Sequence, residues 1–186
     1  MNVAIAPPET KLISGEELLA MGDIGPCELI DGRIVPMSPT GGEHGISELN
    51  LGSELRSFVR QRQLGWVMTG EVGIYTRRNP DRVRGADVAF ISKERLPERP
   101  TGFLEIAPEL VVEVISPTDR WQEVHEKIEE YFAIGVNWVW VVEPASQAVR
   151  IYRSVTKMQK LSQGDTLTGE GALAGFTLSV AEIFAA

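Results

Sequence analysis

The run Leu110–Ile115, Leu-Val-Val-Glu-Val-Ile, constrains this chain more than any other stretch. Residues this apolar and β-branched, closed by Ser116-Pro117, read as a strand buried on both faces. A carboxylate, Glu113, sits inside it. A buried carboxylate without a partner is too costly to keep, so whatever packs here must supply positive charge or hydrogen-bond donors. Alternation puts Val111, Glu113 and Ile115 on one face and Val112 and Val114 on the other. A helix follows, with Asp119 and Gln122 placed to cap it and Gly135 to close it. Its apolar stripe is Trp121, Val124, Ile128, Tyr131 and Phe132. Lys127, three residues after Val124 and four before Tyr131, projects from the edge of that stripe.

Arg84–Ile91 is a second interior strand, with Val88 and Phe90 on one face and Ala89 and Ile91 on the other. Asp87 lies near its start, on the face of Ala89 and Ile91. If the two strands are antiparallel neighbours across the charged, proline-bearing loop 92–107, Asp87 and Glu113 converge. Two hard oxygen ligands, completed by waters and a phosphate oxygen, make a magnesium site. The helix folds back over the sheet, so Lys127 can reach the same spot and orient a water or hold developing charge on a phosphate. Each residue alone also has a structural reading. Asp87 could pair with Arg84, Lys127 could lie along the surface with its head in water, and Glu113 could be a hydrogen-bonded core carboxylate.

The rest of the chain divides by its punctuation. Residues 1–12 carry Pro-Pro and no periodicity, so they read as an arm. Ser14 and Glu17 form a capping box for a helix to about Met21. Asp31-Gly32 is a two-residue turn joining a hairpin, Cys27–Met37, with an alternating strand on each side. Thr40 and Glu43 repeat the capping-box spacing ahead of a helix over 42–63. On that helix His44, Glu48, Leu51, Leu55 and Phe58 share one face. The histidine and glutamate therefore either line a site or mark where the helix leaves the core. Gly65–Thr76 is one or two strands, Trp138–Val142 an interior strand, 148–153 its hairpin partner, 157–161 a further strand and 180–184 a closing helix. Trp138 and Trp140 are expected in the core rather than as base-stacking platforms. Glu28 and Glu71 could add oxygens to the site. With no repeat and no internal boundary, 1–186 reads as one domain.

The net charge of −8 opposes broad electrostatic binding of nucleic acid but leaves room for a local basic groove. A lone cysteine, Cys27, excludes a disulfide framework and a cysteine-rich zinc site. The first residues lack a basic start and an apolar core, and no stretch is long enough to span a bilayer. A cytoplasmic protein without membrane contact is expected.

At this point the residues resemble a known group. An aspartate, then Glu-x-x with the lysine moved from the strand to the following helix, is similar to the signature of the PD-(D/E)XK nuclease superfamily. The closer likeness is to the Uma-type restriction endonuclease family of cyanobacterial type. It is carried by Glu28-Leu-Ile-Asp-Gly-Arg, His44, Ala86-Asp87-Val-Ala-Phe-Ile, Pro108–Asp119, Glu126-Lys127-Ile-Glu-Glu-Tyr and Trp138–Pro144, in the family's order. Ala86 stands where the family usually has proline. The resemblance implies a restriction-endonuclease-like α/β core, a mixed sheet flanked by helices. It also implies magnesium-dependent hydrolysis of DNA, with manganese as a possible substitute. Asp87, Glu113 and Lys127 are then catalytic, Asp87 and Glu113 hold the metal, and His44, Glu48 and Glu28 stand behind them. Cleaving both strands would suit a homodimer. Competing readings are a non-catalytic interaction module that keeps the nuclease fold, and a hydrolase of another phosphate ester.

Overall fold

A computed structural model describes residues 11–117 and 119–186. Most of the expected arm, residues 1–10, lies outside the described residues. The helix after it, α1 (Gly15–Ala20), starts on the full Ser14–Glu17 capping box. Strands β1 (Cys27–Ile30) and β2 (Arg33–Pro36) form the expected hairpin, and Asp31 and Gly32 both take positive φ, 53° and 73°. The alternation expected on both sides holds for neither strand: in β1 the adjacent residues Glu28 and Leu29 are both buried. All four residues of β2 are exposed, because β2 is the outer strand of the sheet.

Eight strands form one mixed sheet in the order β2-β1-β4-β5-β6-β7-β8, with β3 paired to β4. Here β3 is Gly65–Arg77, β4 Arg82–Ser92, β5 Leu110–Val114, β6 Trp138–Glu143, β7 Ala148–Ser154 and β8 Lys157–Ser162. The stretch expected as one or two strands is a single strand, β3, broken by a bulge. Gly70 and Glu71 take positive φ and the register shifts between Thr69 and Val72. Strands β5 and β6 are parallel and the other pairs antiparallel. A parallel pair needs a crossover, and α3 (Trp121–Ile134) supplies it.

The helices lie on opposite faces of the sheet. Leu51, Leu55 and Val59 of α2 (Gly42–Arg62) pack with Val88, Phe90, Val112 and Trp140. Val124, Ile128 and Tyr131 of α3 pack with Ala89, Val111, Val139 and Val141. The face of α2 also receives the C-terminal region, a small sheet of β9 (Thr166–Thr168) and β10 (Thr177–Ser179) and the helix α4 (Val180–Ile183). Trp140 is buried and Trp138 half-buried, both in core packing as expected. The loop 92–107 is pinned at Leu104, which bridges Ile74, and at Arg95, which donates to the Ala107 and Pro108 carbonyls. No helix among the described residues is long and apolar enough to cross a membrane.

Two cap expectations change. Neither Thr40 nor Glu43 caps α2, whose N-cap is Gly41 with no side-chain hydrogen bond. Asp119 is not the cap of α3. Its carboxylate accepts from the Ser116 amide at 2.8 Å, closing the turn after β5, and the helix starts one residue later behind Arg120.

One ion-pair cluster fastens α3 to the sheet. Glu130 accepts from Arg84 at 2.7 and 2.8 Å, from Thr76 at 2.9 Å and from Arg82. Burial pushes the Glu130 carboxyl up, but the hydrogen bond and charge of Arg84 win and hold it below the ordinary range. A depressed folded-state pKa contributes stability above the unfolded value, lost as pH falls through the folded one. Glu130→Gln is therefore expected to cost about 2 kcal/mol at pH 7, as charge-assisted bonds do. The difference from wild type should shrink steadily below about pH 4.5, which urea melts across pH would reveal.

Candidate metal and nuclease site

The site forms where β4 loses its strand neighbour. On one edge β4 pairs with β1 at Val83 and with β5 from Val88 onward. Between them, residues 84–87 face no paired strand on that edge, and side chains satisfy the backbone instead. The Gly85 amide donates to Glu28 at 3.0 Å, and the Gly85 carbonyl accepts from Lys127 at 3.2 Å. Across the gap, the Val114 amide donates to Asp87 Oδ2 at 2.5 Å. Buried backbone groups need partners, so a gap in the ladder gathers polar side chains.

Antiparallel pairing of Val88 with Val112 brings Asp87 and Glu113 to the same level of the two strands. Both are buried. Tyr131 donates to Glu113 Oε1 at 2.7 Å and Lys127 to Glu113 Oε2 at 3.0 Å. The same ammonium lies 3.0 Å from Glu28 Oε1, and Glu28 also accepts from Arg84 at 2.9 Å. Thus Asp87, Glu113, Lys127 and Glu28 meet in one place. Arg84 pairs with Glu28 and Glu130. His44, at the start of α2, joins from the other helix. It is 6% exposed, which rules out the reading in which this helix end meets water. Its Nε2 is 3.3 Å from Asp87 Oδ1, and its Nδ1 is 3.9 Å from Glu48 Oε2. A cleft of about 460 Å³ opens beside His44, walled by the turn Ser116-Pro117 and by Trp121.

Negative charge is in excess. Glu28, Glu48, Glu71, Asp87 and Glu113 face Lys127 and Arg84, and Arg84 is shared with Glu130. Burial, opposed by Lys127 and reinforced by Asp87, pushes the Glu113 carboxyl up to about 7. Burial and then the charge of Asp87 raise Glu48 and Glu71 as well. Burial works against the charged form of Lys127, but Glu113 and Glu28 outweigh it and hold the ammonium protonated. For His44, Asp87 outweighs the opposing burial and raises the imidazole above its ordinary value.

One buried atom bears on whether a cation fits. His44 Nδ1 has no hydrogen-bond partner among the described residues. Donor atoms of His44, Glu48 and Asp87 all lie within 4.8 Å of one another, so this buried group could hold a metal ion. An unpartnered ring nitrogen facing a carboxylate, among acids already crowded together, is a donor set that a divalent cation would relieve. The expected pair, Asp87 and Glu113, overlaps this group at Asp87. Each oxygen of Glu113 accepts one hydrogen bond and keeps capacity for another ligand.

The family model described as "Putative restriction endonuclease", Uma2, matches residues 16–181. The chain belongs to the Uma2 family. A crystal structure of a "putative nuclease" from Anabaena variabilis resembles this Uma2 chain with a TM-score of 0.77 at 20% identity, over 92% of this chain and 97% of that one. The two share the fold. No curated protein matches the sequence.

Tyr131 is the functional neighbour that the sequence pattern concealed. It counts as apolar in the stripe of α3, yet its hydroxyl is spent on Glu113. Its spacing of four from Lys127 was the available signal, since both then face the same carboxylate. Glu71 gave less. Its carboxylate lies over Gly85 only because the β3 bulge turns it there. A Cβ on Gly85 would sit 2.8 Å from its Oε2.

Proposed function

We propose that this protein is a metal-dependent endonuclease that hydrolyses DNA phosphodiester bonds. Asp87 and Glu113 hold magnesium, and Lys127 assists the attacking water. The observation that carries this reading is the convergence of Asp87, Glu113 and Lys127, from two strands and a helix, on the one gap in the sheet edge. Membership of a family described as restriction endonucleases supports it independently.

Residues of the chain divide the work. Asp87 and Glu113 offer hard oxygens, with Glu48 and His44 beside them as further donors. A nitrogen donor makes manganese a natural substitute for magnesium. The bound ion would polarise the phosphoryl group as a Lewis acid. Lys127, held protonated by its two carboxylates, serves as a donor that orients water or holds charge on a phosphate oxygen, rather than as a base. Tyr131 and Glu28 fix the directions of Glu113 and Lys127.

The net charge of −8 favours the rival reading, a non-catalytic module on the same fold. Plasmid nicking with magnesium separates the two. Nicking by the wild type that is lost in Asp87→Ala supports hydrolysis, and nicking that survives both Asp87→Ala and Lys127→Ala sinks the site. Short oligonucleotides screened against small phosphodiesters separate DNA from other phosphate esters. A homodimer remains part of the proposal, because one such site per chain would cut each strand of a duplex separately.

A further inference from the structure

A chain of net charge −8 repels polyanions overall, and one region departs from that rule. Two adjoining hollows run between the outer face of α2 and β3, which pairs with β4 alone among the described strands of the sheet. Their volumes are about 820 and 740 Å³, and they share Arg56, Arg60 and Val67. Glu48 lines the first hollow, while Lys93 and Arg99 line the second. No acidic side chain among the described residues lines that second hollow.

Of the 18 lysines and arginines, eight lie outside any ion pair among the described residues, and four of those eight line this one groove. All four are exposed. Arg56 and Arg60 stand one turn apart on α2, a spacing at which like charges repel. Outside the groove eight of the ten arginines are paired with carboxylates among the described residues, and Arg56, Arg60 and Arg99 are not. The floor is different in character. Val59 is buried and Val67 half-buried on the α2 face, and Trp66 and Met68, also half-buried, line the second hollow from the opposite face of β3, where it bends round the free edge of that strand. The Trp66 indole donates to the Leu96 carbonyl at 3.1 Å, and the Lys93 ammonium lies 5.8 Å from the ring centroid.

We infer that this groove docks a single strand of DNA, with its phosphates on Arg56, Arg60, Lys93 and Arg99 and its bases toward Val67 and the edge of β3 at Trp66. A cationic rim over an apolar, aromatic floor suits single strands, whose base faces are free to contact it, whereas a duplex keeps those faces stacked. The length also fits. Glu48 to Arg60 spans about 18 Å at 1.5 Å per helical residue, a track for about four nucleotides, the lower end of single-strand site sizes. That the strand leads to Glu48 and the metal group rests on the nuclease reading. Binding in the groove does not.

The test is fluorescence anisotropy with a labelled oligothymidine of about 12 nucleotides, in EDTA so that cleavage plays no part. The variant Arg56→Ala/Arg60→Ala/Lys93→Ala/Arg99→Ala should melt like wild type and bind on the order of 100-fold more weakly at low salt. Its slope of log K against log salt should be flatter by about 3, near 0.7 for each lost phosphate contact. Lys157→Ala/Lys160→Ala, which removes two unpaired cations elsewhere, should change neither. Three results would overturn the assignment: no binding by wild type at low salt, unchanged affinity and slope in the fourfold variant, or equal binding of a duplex or of polyglutamate. The nuclease reading fails separately. Cleavage retained by Asp87→Ala would refute it while leaving the groove's binding intact.

Discussion

Asp87→Ala is expected to abolish magnesium-dependent nicking, by on the order of 10³-fold or more, the scale at which removal of one element of transition-state charge stabilisation is felt. It should also abolish stabilisation by divalent ions. A ligand at 100 times its Kd stabilises by about 2.7 kcal/mol, so wild type should gain several degrees in a melt with excess manganese and the variant none. The metal-free proteins should differ far less, because two effects oppose. The Val114 amide loses its acceptor, a cost of about 1–3 kcal/mol for a buried group. Against that, Glu48, Glu71 and Glu113, raised mainly by burial, lose the neighbouring charge that raises them further. Asp87→Asn keeps an acceptor for Val114 and should separate the two effects. If the asparagine variant melts like wild type in EDTA but ignores manganese, Asp87 acts through the ion and not through the fold.

Lys127→Met is expected to be the most costly single change to the fold in this region. The ammonium is the cation nearest Glu113 and one of two on Glu28. Removing it strands a buried carboxylate, which typically costs about 3–5 kcal/mol. Glu28 keeps Arg84 and the Gly85 amide, so the loss falls mainly on Glu113, which keeps only the Tyr131 hydroxyl. Activity should vanish with stability, and taken alone that outcome would not separate a catalytic lysine from a structural one. The double variant Lys127→Met/Glu113→Gln does separate them. With both charges gone it should recover most of the lost stability in urea melts, because neutral replacements of a buried pair are close to neutral in cost. It should remain inactive. A single Lys127→Met protein that melts like wild type would show that some other group compensates Glu113.

Much of this architecture could be read from local signals. Ser14 with Glu17, Asp31-Gly32 and Gly135 set their turns and caps by chemistry confined to a few residues, and each does what its type predicts. The two interior strands were legible as apolar runs, and the antiparallel pairing on which the expected site depended is the one they adopt. The misreadings share a cause. Asp119 had two amides within reach and took the one behind it, a choice decided by the turn after β5. Exposure of all of β2 follows from its place at the sheet's edge, which local alternation does not encode. The gap between β1 and β5 depends on two registers set far apart in the chain. That is why Glu28 and Lys127 could be named as candidates while their shared hold on Gly85 could not be foreseen. His44 was ambiguous for the same reason: its face was legible, but its depth depended on what α2 packs against.

Growing crystals with manganese and collecting anomalous diffraction tests the central claim most directly. The expected result is a peak in the sheet gap, coordinated by oxygens of Asp87 and Glu113 on the side where His44 and Glu48 converge, and absent from Asp87→Ala crystals. Protein that nicks DNA with manganese while its crystals show the ion elsewhere, or no ion at Asp87, would contradict the account.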